Sequence, residues 1–197
     1  MFKSVKINEE GVGDVRIIAG SARGTKLDTI EGLDTRPTTD RVKENIFNIV
    51  QFEIVGERVL DLFAGSGALG LEAGSRGAEE VVLVEASPKC AKVTQKNIDK
   101  ANLKSKTKLI VKPVESAIKN LSSDKPFHVV FMDPPYDKGF VVPTIESIDG
   151  LGLLDDSGMI VVEHNSKTQY PDVIGGFELG KFKKYGSTAV SIYRRMT

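Results

Sequence analysis

Val59-Leu-Asp-Leu-Phe-Ala-Gly-Ser-Gly-Ala-Leu-Gly70 carries an apolar strand directly into a glycine-rich turn. Gly65, Gly67 and Gly70 satisfy G-x-G-x-x-G, with strand-like Val59 to Phe63 before them and a helical stretch around Leu69 to Ala73 after. Glycine is needed there for a steric reason. It permits positive φ and lets a ligand approach the backbone closely. Glu85 stands twenty residues past Gly65, at the end of a second apolar run, where a carboxylate can accept both hydrogen bonds of a ribose diol. A plain tight turn accounts for the glycines alone. It does not account for strand, loop, helix and acid falling in register.

Outward from this point, short apolar runs alternate with amphipathic segments. Val81 to Val84, Leu109 to Val111, Val129 to Met132 and Ile160 to Val162 read as further strands, and Ala91 to Ala101 and Glu115 to Leu121 as helices. Strands of near-continuous Val, Ile and Leu are buried on both faces, which predicts a doubly wound, mostly parallel α/β sheet. Phe177 to Phe182 and Ser187 to Arg194, separated by Tyr185-Gly186, read as an antiparallel C-terminal hairpin closing one edge. Upstream, two β-like runs between Val15 and Leu27 flank Gly-Ser-Ala-Arg-Gly and predict a small N-terminal β-hairpin arm. Thr38-Thr39-Asp40 then caps a helix bearing Val42, Ile46, Phe47, Ile49 and Val50. The expected division is a leader or expression remnant over 1–14, arm and helix over 15–55, and a catalytic domain over 56–197.

Composition bounds the function. The chain has 197 residues, 40% of them apolar, enough for one real core. No apolar run approaches the ~20 residues needed to cross a bilayer, and no signal core opens the chain, so it is expected to be cytoplasmic. Cys90 is alone and only two histidines occur, which leaves no disulfide and no metal cluster to expect. Lys and Arg total 27, as do Asp and Glu, so broad non-specific nucleic-acid affinity is disfavoured. Local basic groups remain: Arg16, Arg23 and Lys26 near the start, and Lys181, Lys183, Lys184, Arg194 and Arg195 in an acid-free C-terminal stretch.

Phe131-Met-Asp-Pro-Pro-Tyr136 ends the fourth strand, and doubly wound sheets bind ligands outside the carboxyl ends of their strands. Asp133, Pro134, Pro135 and Tyr136 should therefore face the glycine loop. This turn suits methylation of an aromatic amine, whose lone pair is delocalised into its ring and must be turned toward the methyl donor. The Asp133 carboxylate and the Pro134 carbonyl can accept the amine hydrogens. Consecutive prolines fix the backbone, and Tyr136 offers a face to a base taken out of its helix. Asp133 capping a neighbouring amide in a proline turn is the plainer reading of the same residues. Dehydrogenases and methyltransferases both hold an adenosine on a glycine loop. Asp61, an acid within the first strand, favours a ligand whose other end is an ammonium, as in S-adenosyl-L-methionine.

The stretches from Asp61 to Ala73 and Asp133 to Tyr136, together with Arg16-Ile-Ile-Ala-Gly-Ser-Ala-Arg-Gly24 and Arg36-Pro-Thr-Thr-Asp-Arg-Val-Lys-Glu-Asn-Ile-Phe-Asn48, resemble the RsmD family of 16S rRNA guanine-N2-methyltransferases. The resemblance runs from about Val15 to the C-terminus. It implies a class I, Rossmann-like fold with a seven-stranded sheet, and S-adenosyl-L-methionine held by Asp61, Phe63, Ala64, Gly65, Ser66, Gly67, Glu85 and Ala86. It also implies a guanine of 16S rRNA as substrate, within a small ribosomal subunit or assembly intermediate, and a monomeric enzyme. Val114 stands where the family places an adenine-binding Asp or Asn, leaving Glu115 or a backbone group for that contact. Arg23, Arg36 and Arg41 are the candidate RNA phosphate ligands. Cys90, His128 and His164 read as packed residues, and Lys89, Lys92, Lys96 and Lys100 as a solvated helix face. The alternatives are an adenine-N6 methyltransferase using the same Asp-Pro-Pro-Tyr, a dinucleotide-dependent oxidoreductase, and a non-catalytic RNA-binding assembly factor.

Overall fold

In a computed structural model the residues described are 15–29, 40–121, 125–136 and 138–196. Along the chain run α1 (Asp40–Val50), β1 (Arg58–Asp61), α2 (Ala68–Ser75), β2 (Glu80–Glu85), α3 (Pro88–Lys100), β3 (Thr107–Val111) and α4 (Val114–Leu121). They are followed by β4 (Phe127–Met132), α5 (Val141–Gly150), β5 (Leu154–Asn165), β6 (Val173–Ile174), β7 (Phe177–Tyr185) and β8 (Thr188–Arg195). The strands form one sheet in the order β3-β2-β1-β4-β5-β8-β7-β6. Strands β1 to β5 pair in parallel, and β8 and β7 return antiparallel, as the apolar runs and the C-terminal hairpin predict. The sheet has one strand beyond the seven expected, the two-residue β6 laid against Phe177 and Glu178. Gly175, at φ 58°, makes the turn that brings it back.

Two apolar layers sandwich the sheet. Leu83, Val129, Phe131, Val161 and Val190 point to one, with Phe47 of α1 and Leu71 of α2. Leu60, Val82, Val130, Val162 and Tyr193 point to the other, with Ile118 of α4 and Ile145 of α5. The alternation follows from the two-residue pleat. Helix α5 is absent from the sequence expectations, although Val141, Ile145 and Ile148 fall at helical spacing and are buried. Among the described residues, no helix is long and apolar enough to cross a membrane.

The N-terminal arm is a tight loop rather than a ladder of strands. A single antiparallel bridge joins Arg16 to Lys26, beside the Ile17 N to Thr25 O and Leu27 N to Val15 O bonds. Val15, Ile17, Ala22 and Leu27 are buried in the same apolar layer as α1 and α2. The arm closes over the C-terminus of α2, whose last carbonyls need donors. Ser21 N donates to Ser75 O at 2.8 Å, and Ala22 N to Ser75 Oγ at 2.9 Å. Gly20, at φ 85°, lies so close to the Ser75 carbonyl that a side-chain carbon would collide with it.

One buried carboxylate joins these pieces. Glu72 of α2 is fully buried and accepts Ile18 N at 2.7 Å, Ala19 N at 3.0 Å and Arg76 Nε at 2.7 Å. Lys43 of α1, also fully buried, brings Nζ within 3.5 Å of it and donates to the Arg16 carbonyl. Arm, α1 and α2 are thus tied through a single side chain. Glu72→Ala is expected to lower the free energy of unfolding by roughly 3–5 kcal/mol, since it strands a buried ammonium and two amides. Urea unfolding checks this, and a loss below about 1 kcal/mol would show that water replaces the carboxylate.

Candidate active site

The register of the parallel strands decides where the acids fall. Asp61 pairs with Leu83 on β2 and with Phe131 on β4. Glu85 and Asp133 each lie two residues beyond those partners, so they follow Asp61 by one pleat, about 7 Å, on either side of it. The loop after β1 is drawn between them. Leu62 N donates to Phe131 O at 3.0 Å, and Ala64 N donates to Val84 O at 2.9 Å.

Asp61 is 2% exposed. Its Oδ2 accepts Gly70 N at 3.0 Å, which anchors the first turn of α2. The Phe63 amide lies near enough to ease the charge, yet no donor among the described residues completes a hydrogen bond on the buried Oδ1. Burial, with the negative charges of Asp133 and Glu85 adding to it, raises the Asp61 carboxyl from its ordinary 3.8 to about 7. Asp61 therefore feels the charges of both Asp133 and Glu85 across the crevice.

The glycines have separate duties. Gly67 takes φ 85° at the N-cap of α2, and Gly65 takes φ 52° with open space where a side chain would stand. Gly70 lets α2 lie against the sheet, because a side-chain carbon there would strike Leu83. Glu85 is already engaged with the loop it follows. Oε2 accepts Gly65 N at 2.9 Å and Oε1 accepts Ser87 N at 2.7 Å, leaving the remaining lone pairs for a ligand. From below, Thr94 Oγ1 donates to Gly65 O at 2.6 Å and Asn97 Nδ2 to Ser66 O at 2.8 Å. Neither side chain is legible as a site residue from sequence; both sit on the inner face of α3, behind the lysine face.

Phe63, Ala64, Ser66 and Gly67 all belong to this loop, and Ala86 is exposed just past Glu85. Val114, at the third strand's exit, is buried in the core, and Glu115 is exposed in the first turn of α4. The turn Asp133–Tyr136 leaves β4 with Asp133 half-buried, Pro134 buried and Tyr136 39% exposed. A small, partly open cleft begins at this turn. Its walls include Pro134, Pro135, Tyr136, Phe140, His164 and Tyr170. Phe140 also meets Phe63 of the glycine loop at 5.6 Å between ring centroids, so the two loops share a wall. His164, read as a packed residue from sequence, is buried but lines this cleft. Its Nε2 lies 2.8 Å from Ser191 Oγ and its Nδ1 3.0 Å from the Asn165 carbonyl, and burial lowers its pKa. The signal for it was its place at the carboxyl end of a parallel strand. His128 is elsewhere, 3.3 Å from Glu53 Oε2. Cys90 is buried in α3.

Of the arginines, Arg23 is exposed at the tip of the arm and Arg41 is exposed in the first turn of α1; Arg36 lies outside the described residues, as do the Thr38-Thr39 cap and residues 1–14. The residues present fit S-adenosyl-L-methionine: open space over Gly65, a carboxylate beside the loop, and a buried orphan oxygen near two further acids, suited to a cationic ligand.

Fold and site together define a methyltransferase of the class I, Rossmann-like type. The family model described as "Conserved hypothetical protein 95" matches residues 15–194. The chain belongs to that family, the RsmD family that its motifs resemble. Ribosomal RNA small subunit methyltransferase D of Escherichia coli K12 is 38% identical over 191 residues, covering 96% of this chain and 94% of that protein. The solved structure of a hypothetical protein from Thermus thermophilus superposes with a TM-score of 0.78 at 30% identity, covering 91% of this chain and 99% of the other. Precorrin-6y C5,15-methyltransferase of Geobacter metallireducens shares the fold at 14% identity, with a TM-score of 0.64 and coverage of 87% and 94%.

A raised carboxyl pKa has a consequence for stability. Folded protein holds an extra proton on Asp61 between 3.8 and about 7, and the stability it confers is lost as pH rises through that window. Asp61→Asn keeps an acceptor for Gly70 N without the charge. In the absence of ligand, the melting temperature of Asp61→Asn is expected to rise relative to that of the native chain between about pH 5 and about pH 8. A difference independent of pH would contradict the shift.

Proposed function

We propose that this chain transfers a methyl group from S-adenosyl-L-methionine to the exocyclic N2 amine of one guanine in small-subunit ribosomal RNA. The observation that carries the reading is that Glu85 and Asp133, the latter opening the Asp-Pro-Pro-Tyr turn, both act on the buried Asp61 carboxyl at the carboxyl ends of neighbouring strands. Acids so placed suit a ligand bearing a sulfonium and an ammonium, and oppose the pyrophosphate of a dinucleotide. The ribosomal RNA part rests on the motifs of the arm and on the Escherichia coli relative named above.

S-adenosyl-L-methionine supplies, when bound, a methyl group activated on sulfur. The chain supplies placement. Glu85 would accept hydrogen bonds from the ribose diol, and the loop from Phe63 to Gly67, with Ala86, would line the adenosine. Asp61 Oδ1 would take the ammonium as its missing donor. Glu115 would reach toward the adenine edge. The guanine would enter the cleft on the Tyr136 ring, with its amine hydrogens accepted by Asp133 and the Pro134 carbonyl. That arrangement turns the nitrogen lone pair toward the methyl carbon. The proton that the amine gives up on methylation would pass to the Asp133 carboxylate or to water. Positioning provides most of the acceleration, because the methyl donor needs no further activation.

Arg23, Arg36 and Arg41 would bind RNA phosphates. A monomer acting in the cytoplasm on a small subunit or its assembly intermediate completes the reading, because recognition by particle shape relieves a chain of zero net charge from binding RNA by field alone.

Asp133→Ala is expected to slow methyl transfer by at least about a hundredfold, because the amine is no longer oriented, while S-adenosyl-L-methionine still binds. Small ribosomal subunits from cells lacking this chain, incubated with labelled donor and digested to nucleosides, provide the assay. The label is expected in a single N2-methylguanosine. Label in N6-methyladenosine would assign the adenine enzyme instead, and native rates in Asp133→Ala would refute the mechanism.

A further inference from the structure

The acid-free C-terminal stretch divides once it is folded. Arg194 pairs with Glu53 at 2.9 Å, and Arg195 lies 3.0 Å from Asp149 and 3.3 Å from Asp156. Lys181, Lys183 and Lys184 of β7 are exposed, and among the described residues no carboxylate pairs with them. Strand β6 pairs with Phe177 and Glu178, and the Asp172 carbonyl accepts Leu179 N, so β7 is an open sheet edge from Gly180 onward. Within that edge Phe182 is 49% exposed.

The pleat sorts these residues. Phe182 pairs with Ser191 and Lys184 with Ala189, and across β8 these pair with Val162 and His164 of β5. Phe182 and Lys184 therefore share the face of His164, while Lys181 and Lys183 take the opposite face. The Phe182 ring lies 6.2 Å from the His164 ring, which meets Tyr170 edge-on at 5.0 Å. His164 and Tyr170 line the cleft that begins at Pro134 and Tyr136. An exposed aromatic thus stands one ring beyond the proposed base pocket, with cations on both sides of its strand. Lysines alone would serve to keep an open edge from pairing with another chain, but that purpose has no use for an exposed phenyl ring.

We propose that the RNA strand flanking the target guanine crosses this edge, with one unpaired base stacked on Phe182 and its phosphates neutralised by Lys181, Lys183 and Lys184. Stacking on an aromatic face next to a positive track is the general means of holding single-stranded nucleic acid without reading its sequence. The proposal rests on the assignment of the cleft to the target base.

The probe is small ribosomal subunits from cells lacking this chain, added to full-length protein. Phe182→Ala is expected to raise the subunit concentration needed for half-maximal methylation about tenfold. The rate at saturating subunits and the affinity for S-adenosyl-L-methionine are expected not to change. Phe182→Trp should restore the native value, which a merely structural role would not allow. Replacing the three lysines by Ala should flatten the logarithmic salt dependence of binding by about 2, since each phosphate left without its cation removes ~0.7 from the slope. Ultraviolet cross-linking should join the 181–184 peptide to a nucleotide. An unchanged half-saturation for Phe182→Ala, or a cross-link to a ribosomal protein in place of RNA, would overturn the proposal. Failure of the cleft assignment is seen separately, as native enzyme that places its methyl group elsewhere or nowhere, and the cross-link still reports on the edge in that case.

Discussion

Like charges brought together in a poorly solvated place are costly, and this fold brings three of them to one crevice. Parallel strands β2, β1 and β4 lie side by side with their carboxyl ends together, so Glu85 and Asp61, which end the first two, and Asp133, one residue past the third, are brought close. Asp61 shows the cost most clearly, its carboxyl held near neutrality by burial and by the charges of Asp133 and Glu85. Asp61 and Glu85 also anchor backbone amides of α2 and the glycine loop, yet the buried Asp61 Oδ1 is left without a donor among the described residues. A site that receives a cationic ligand calls for such a cluster, since the ligand's charge offsets the repulsion on binding.

The rest of the molecule holds that crevice in shape. Helix α2 works as a strut. Its first turn is tethered to Asp61 through Gly70, its middle to the arm and α1 through Glu72, and its end to the arm through Ser75. The arm is consequently more than an appendage to the catalytic sheet: its backbone terminates the helix whose other end carries the glycine loop. Asn97 adds a second link, bonding the Asp28 backbone and the Ser66 carbonyl with one amide group. Elements that differ in expected role, RNA contact for the arm and cofactor contact for the loop, are mechanically continuous.

Much of this was legible in the residues. Runs such as Val81 to Val84 read as buried parallel strands because both faces are covered, and that burial is what the structure shows. The glycine loop and the Asp-Pro-Pro-Tyr turn are local motifs, so their positions on strand ends followed directly. Long-range geometry was less accessible. Glu72 looks like any helix acid, and its partners at Ile18 and Ala19 are backbone amides more than fifty residues away. The C-terminal cations read as one basic group because the acids that claim Arg194 and Arg195 come from α1, α5 and β5 or their flanks. Periodicity reports the burial of His164, whereas its place on the cleft wall depends on which strands are neighbours.

If the crevice selects a cationic ligand by charge, calorimetric titration of the native protein with S-adenosyl-L-methionine gives saturable one-to-one binding that weakens as added salt rises. A separate titration with NAD then gives no saturable binding. Tight binding of NAD, or equal affinity for both, would contradict selection by charge.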